Sequence, residues 1–170
     1  MPALPQITRA SAQRCLDEID TELARRAAKH AEAGSFIDFC RDPDLFQEYP
    51  VFYHQDLCAT LQRIDSGEIK RAMFFLPPGA AKSTYGSVRF LAWYLGRNPK
   101  KRVIHGYNVK ELAEDFGRKV RNLIACEDFR SIYPEVKLSS DSAAAGRWDL
   151  AAGGGYYGVG RGGGRDWSAR

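Results

Sequence analysis

Residues 76–84, which read LPPGAAKST, combine small residues, a lysine and two hydroxyls in an order that suits phosphate binding. A phosphate-binding loop needs a tight turn before a helix, a lysine for the phosphate oxygens and a hydroxyl for Mg²⁺. Lys82 is the candidate cation and Ser83 the candidate metal ligand. The other candidate contacts to phosphate come from the loop and the helix start, namely Pro78, Gly79, Ala80, Ala81 and Thr84.

The loop departs from the strict pattern G-x-x-x-x-G-K-[ST], because Leu76 and Ala81 stand where that pattern has glycine. Alanine is sterically minimal, but it adopts a positive φ at a higher cost than glycine does. A second interpretation is therefore an ordinary capped helix that happens to begin with Lys-Ser. The order of the flanking elements favours a nucleotide site.

Those elements alternate between strands and helices. Residues 71–76 form a short apolar run suited to a buried strand, and an apolar stripe at helical spacing follows as far as residue 95. Residues 102–107 are again strand-like, and Asn108 is the predicted N-cap of the next helix. This order predicts right-handed βαβ units, with parallel pairing between residues 72–76 and 102–107.

The segments before and after these alternating elements have different sequence patterns. Residues 1–67 are predicted to be a helical segment, with a capping box at Ser35 and Asp38 and a last helix that ends near Ser66. Residues 68–170 form the predicted α/β domain. Alternating apolar residues around a glycine run predict a β-hairpin at 147–160.

Composition narrows the class of protein. The hydrophobic share of 44% indicates a globular chain, and a net charge of +4 is too small for the dense basic stripe of a dedicated DNA binder. The four cysteines form no C-x-x-C pair, so their spacing indicates neither a zinc site nor a redox motif. The sequence has no apolar run of about 18 residues and no signal-peptide pattern, and we expect a soluble, intracellular protein.

A family resemblance joins these segments. The stretch LPPGAAKSTYGSVRFLAWYLGR, preceded by YHQDLCATLQRIDSGEIKRAMFF and followed by RVIHGYN and LAEDFGRKVRNLI, resembles the N-terminal ATPase part of the large terminase subunit of tailed phages. The resemblance covers about residues 35–165. Members of that family often write the loop as P-P-x-x-G-K-S or with G-x-A-K-S, so the proline pair and Ala81 fall within its variation.

The resemblance implies a P-loop NTPase fold of the additional-strand type, with helices on both faces of a mainly parallel sheet. It implies ATP and Mg²⁺ as ligands, with Lys82 on the phosphates and Ser83 on the metal. It also places His54 and Gln55 where such ATPases contact adenine, although a polar pair on a helix surface is an equal alternative. Several family members have a basic loop residue where this chain has Gly79, so that role is not carried over.

Two further features are open to more than one interpretation. His105, at the end of the second strand, is more often a core or rim residue than a site residue. The segment RGGGR at 161–165 is interpreted as a loop, and a flexible nucleic-acid-binding segment is the alternative.

In the resembled family the ATPase drives double-stranded DNA into a prohead. The implied partners are double-stranded DNA, the portal protein and the small terminase subunit. The implied state is a ring homo-oligomer in the cytoplasm of a bacterial host, with no membrane partner. A small nucleotide-dependent kinase or transferase is the first alternative, and a non-enzymatic nucleic-acid-binding module is the second.

ATP hydrolysis also needs an acidic residue at the end of an apolar strand. After Lys82 no aspartate follows a run of four apolar residues. We therefore expect a domain truncated before its acidic strand, which binds ATP without turning it over.

Overall fold

The computed structural model describes residues 9–32, 34–140 and 144–160 of the chain. The segment at 161–165 thus lies outside the described residues. The helices within them are α1 (Arg9–Glu32), α2 (Phe36–Phe39), α3 (Phe52–Asp65), a π-helical segment (Thr84–Arg89) that continues into α4 (Phe90–Arg97), α5 (Lys110–Ala125) and α6 (Glu127–Ile132). The strands are β1 (Arg102–Tyr107), β2 (Arg147–Asp149) and β3 (Gly155–Gly160).

The helices at the N-terminal side agree with the sequence pattern. Ser35 caps α2, and its hydroxyl accepts a hydrogen bond from the Asp38 N–H at 3.5 Å. Helix α3 ends at Asp65 with Ser66 as its C-cap, as its apolar spacing predicts. The chain is a mixed α/β protein.

The three strands form a mixed sheet in the order β1-β3-β2. Strand β3 pairs in parallel with β1, with Arg102 opposite Gly155 and Tyr107 opposite Gly160. It pairs antiparallel with β2, with Trp148 opposite Tyr156, so the predicted hairpin at 147–160 is confirmed. The sheet has one parallel and one antiparallel pair of strands, whereas the sequence predicted a mainly parallel sheet.

The predicted strand at 71–76 is not a strand in the structure, and its predicted parallel pairing with residues 102–107 is wrong. Met73 and Phe75 leave 78% and 85% of their surface exposed, while Phe74 packs against the core. An apolar run gives a segment strand propensity, but a strand also requires a neighbour for its N–H and C=O groups. Here the strand paired with β1 is β3.

A close approach between α5 and β3 fixes the sheet against the helices. Gly117 of α5 faces Tyr156, and a Cβ at position 117 would lie 2.6 Å from the Tyr156 ring and against the carbonyl oxygen of Ala145. The Trp148 indole stacks on Tyr156 with 5.5 Å between ring centroids and donates to the Gly117 carbonyl at 3.0 Å. Only glycine lets the helix backbone come this near.

Helices α2, α3 and α4 form the other part of the same core. The Phe36 ring of α2 packs edge-on against Phe90, at 5.4 Å between centroids, and against Trp93 at 5.2 Å. Trp93 and Phe36 have no exposed surface. This packing holds the helix that follows the candidate loop.

Candidate functional site

The candidate loop makes a tight turn directly before a helix. The Ala80 N–H donates to the Pro77 carbonyl at 3.3 Å, which closes the turn. Two residues of the turn have positive φ, Gly79 at 82° and Ala81 at 51°. Helical structure begins at the next residue, Lys82, and the Tyr85 N–H donates back to the Ala81 carbonyl at 3.1 Å.

Ala81 is the one non-glycine residue with positive φ among the residues that the structure describes. It occupies the position where the strict phosphate-loop pattern has its second glycine. A left-handed conformation costs an L-residue about 1–2 kcal/mol, so the surrounding contacts hold this backbone in place. At this position the chain therefore holds an alanine in a left-handed conformation.

We expect Ala81→Gly to raise the free energy of unfolding by about 0.5–1 kcal/mol. Glycine removes the strain at φ 51°, and this gain exceeds the extra flexibility that it gives the unfolded chain. Thermal and urea denaturation measure the change. The matched control is Ala80→Gly, because Ala80 does not have a positive φ. This substitution should lower the free energy of unfolding by about 0.5–1 kcal/mol. A loss of stability in Ala81→Gly would contradict the strained backbone.

His54 of helix α3 forms a hydrogen bond with this loop. Its Nδ1 accepts a hydrogen bond from the Val51 N–H at 3.3 Å, so the ring proton is on Nε2, which donates to the Ala80 carbonyl at 3.1 Å. The ring is 7% exposed and stacks on Tyr85 with 4.2 Å between centroids. Both ring nitrogens are thus used inside the protein, and His54 supports the loop.

Gln55 has a different environment from its neighbour. It is exposed on α3, one residue after the histidine that contacts the loop. His54 and Gln55 were both predicted to contact adenine. Of these two residues, only Gln55 has a side chain that a ligand can reach.

Two grooves flank the loop. The first, of about 540 Å³, is lined by Tyr53 and by residues 75–80. The second, of about 340 Å³, contains Lys82 and Ser83. Lys82 lines the second groove, and the first groove is lined by the loop residues before it.

The second groove is lined by both apolar and polar side chains. Its other lining residues are Leu57, Leu61, Phe74, Gly86, Ser87, Phe90, Leu91 and Tyr107. The Ser87 and Tyr107 hydroxyls are 3.1 Å apart, which ties the helix to the end of β1. Lys82 is exposed and Ser83 is half-buried. The groove thus presents one cation and three hydroxyls at the start of a helix.

This arrangement fits a magnesium phosphate better than a metal held by the protein alone. Mg²⁺ in phosphate sites has one or two protein ligands, and substrate oxygens and water complete the shell. Ser83 would supply the hydroxyl and Lys82 the charge for the phosphate. Within the described ranges no group of three or more His, Cys, Asp or Glu side chains forms a metal cluster.

Sequence reasoning missed the residues that fix the start of this helix. Residues Thr84–Arg89 form a π-helix, in which the Phe90 N–H donates to the Tyr85 carbonyl. Tyr85 is 2% exposed and Arg89 is 5% exposed. The Arg89 guanidinium lies 4.1 Å from the Phe46 ring centroid and 4.6 Å from that of Tyr85. The available signal was their spacing of four residues, which places Tyr85 and Arg89 on one helix face.

His105 belongs to the sheet and not to the grooves. Tyr156 donates its hydroxyl proton to the Ala113 carbonyl at 2.8 Å, so the His105 Nδ1–H is the donor in the 2.9 Å bond to the Tyr156 oxygen. Burial lowers the pKa of His105. Asn108 is not the N-cap of α5, because the helix begins at Lys110 after Val109.

Comparisons with protein-family models, with curated proteins and with solved structures find no match to this chain. In the described part of the chain, no helix has the length and apolarity needed to cross a membrane.

Proposed function

We propose that this chain binds the phosphates of Mg-ATP with residues 78–84, as the ATP-binding part of a DNA-packaging ATPase of the terminase type. The observation that carries the proposal is the positive φ of Gly79 and Ala81 immediately before a helix that begins with Lys82 and Ser83. An alanine in the left-handed conformation is costly, and strain of this kind is concentrated at ligand sites.

The electrostatics of the helix start support an anion. The first N–H groups of a helix have no carbonyl partner within it, and the helix dipole adds partial positive charge there. Lys82 adds a full charge at the same end, and Ser83 lies beside it in the second groove. The first groove, which Tyr53 and Phe75 help to line, would accept the base or the sugar.

The proposal is tested by the binding of a non-hydrolysable ATP analogue with Mg²⁺, measured by isothermal titration calorimetry on the 170-residue chain. We expect Lys82→Ala to weaken binding by about 10- to 150-fold, because a charge-assisted contact to phosphate contributes about 1.5–3 kcal/mol. Lys100→Ala is the matched control, since it removes the same charge from an exposed lysine that lines neither groove.

A phosphate-release assay tests the second half of the proposal. Turnover should stay near background, because the sequence after Lys82 has no acidic residue at the end of an apolar strand. If Lys82→Ala binds the nucleotide as tightly as the unchanged chain, residues 78–84 are only the start of an ordinary capped helix. Transfer of phosphate to a small molecule would instead favour the kinase or transferase alternative.

A further inference from the structure

The first groove joins the candidate loop to exposed aromatic side chains. Loop residues 77–80 form part of its lining, and Tyr53 and Phe75 line the same groove. These two side chains have 39% and 85% of their surface exposed. The volume of about 540 Å³ lies in the range of small-molecule sites, about 300–1,000 Å³. A ligand held by its phosphates at the loop would therefore meet two aromatic rings in the adjoining groove.

The Tyr53 ring is held by neighbouring rings of helix α3. It contacts the His54 ring, with 4.3 Å between centroids, and meets the Phe52 ring edge-on at 5.4 Å. The same His54 ring donates to the Ala80 carbonyl at 3.1 Å. One histidine thus contacts both the loop and the aromatic wall of the groove. A ring that is already positioned loses little freedom when a ligand stacks on it.

The polar groups of this groove are few. Among the described residues that line it, the hydroxyl of Tyr53 is the only polar side-chain group. Pro77 and Pro78 have no N–H, and the Pro77 carbonyl already accepts a hydrogen bond from the Ala80 N–H at 3.3 Å. The Ala80 carbonyl accepts its own hydrogen bond from His54. The groove therefore presents rings and aliphatic surface more than hydrogen-bonding groups.

This composition bears on which base the groove accepts. Adenine has an amino donor at N6, whereas guanine has a carbonyl acceptor at O6. A site that distinguishes the two bases needs a fixed donor or acceptor at this edge. Gln55 could provide such a group, but its side chain lines neither groove. Stacking on an aromatic ring, in contrast, is open to every base, because every base has a π-face.

We propose that the purine base of a nucleoside triphosphate stacks on the aromatic rings of the first groove, Tyr53 and Phe75, and that the site binds ATP and GTP without distinguishing between them. This inference rests on the proposed function of the loop, which would hold the phosphates that both nucleotides share. It widens the ligand from ATP to the class of purine nucleoside triphosphates. The base contributes to affinity through its face and not through its edge.

The first test compares non-hydrolysable analogues of ATP and GTP, each with Mg²⁺, by isothermal titration calorimetry on the full chain. We expect the two dissociation constants to agree within about fivefold, because even one hydrogen-bonded edge contact discriminates between bases by about fivefold or more. A larger preference for either nucleotide would overturn this inference and leave the proposed function standing. If neither nucleotide binds, both proposals fail, so the two failures are distinguishable.

The second test locates the base by substitution at Tyr53. Tyr53→Ala should weaken binding of both nucleotides by about 5- to 150-fold, the contribution of one stacked base. Inorganic tripolyphosphate has no base, so the same substitution should change its affinity by less than about fivefold. Unchanged nucleotide affinity in Tyr53→Ala, or an equal loss for tripolyphosphate, would overturn the stacked position of the base.

Two matched variants control for the tyrosine. Tyr53→Phe keeps the ring and removes the hydroxyl, so it should bind both nucleotides within about fivefold of the unchanged chain. Tyr49→Ala removes a tyrosine that is 62% exposed and lines neither groove, and it should have no effect on nucleotide binding. A loss in Tyr53→Phe as large as in Tyr53→Ala would show that the hydroxyl, and not the ring, contacts the nucleotide.

Discussion

Trp148→Ala should lower the free energy of unfolding by about 3–5 kcal/mol, the range for removing a fully buried large side chain. Trp148 has no exposed surface and stacks on Tyr156 at an interplanar angle of 8°. It also joins β2 to α5 through the bond from its indole N–H to Gly117. Since a domain of this size has about 5–15 kcal/mol in total, the variant should be close to unfolding at 37 °C. Urea denaturation followed by far-UV circular dichroism measures the loss.

Trp148→Phe is the matched control for this prediction. It keeps an aromatic ring against Tyr156 but removes the indole N–H, so the Gly117 carbonyl loses its donor. We expect a loss of about 1–3 kcal/mol, the cost of one unsatisfied buried acceptor. A loss in Trp148→Ala no larger than in Trp148→Phe would mean that the stacked ring contributes little to the core.

His54→Ala should lower the free energy of unfolding by about 2–4 kcal/mol and also loosen the candidate loop. The substitution leaves the Ala80 carbonyl and the Val51 N–H without their ring partners. It also removes the ring that stacks on Tyr85 at the start of the π-helix. The unsatisfied carbonyl of the buried Ala80 costs about 1–3 kcal/mol, and the lost ring packing adds to this loss. Amide hydrogen exchange, read at Tyr85, measures the loosening at the loop, because the Tyr85 N–H bonds to Ala81.

Gln55→Ala separates support of the loop from contact with a ligand. Gln55 is exposed, so its removal should change stability by no more than about 0.5 kcal/mol. If it contacts adenine, nucleotide affinity should fall while the exchange rate at Tyr85 stays unchanged. A His54→Ala variant as stable as Gln55→Ala would show that the two hydrogen bonds of the ring do not hold the loop.

Elements whose signals are local could be predicted from the amino-acid sequence. The capping serine at residue 35, the end of α3, the strand at 102–107 and the hairpin at 147–160 were all predicted from residue spacing and turn chemistry. The cap, the helix end and the hairpin depend on residues that are near in the chain. For the strand at 102–107 only the apolar pattern of its own residues is local, because its pairing partner lies at 155–160. Capping bonds and turn conformations form within a few residues, so the local pattern is sufficient for them.

The pairing of the strands depends on contacts between residues that are far apart in the chain. Residues 71–76 have the apolar character of a strand, but β1 pairs with β3, which lies some fifty residues further along the chain. Glycine 154 illustrates the reason, because its N–H donates to the Pro99 carbonyl at 3.0 Å and a side chain there would meet the backbone at Lys101. Such an approach depends on the packing of the whole sheet, and no spacing within 71–76 predicts it.

The candidate site, too, could be predicted only in part from the sequence. The order of small residues, lysine and serine located the loop, because these residue types are adjacent in the sequence. The positive φ of Ala81, the support from His54 and the buried Arg89 were decided by the tertiary structure. Alanine adopts that backbone only where surrounding contacts outweigh its cost, and one such contact is the hydrogen bond from His54 of α3 to the Ala80 carbonyl.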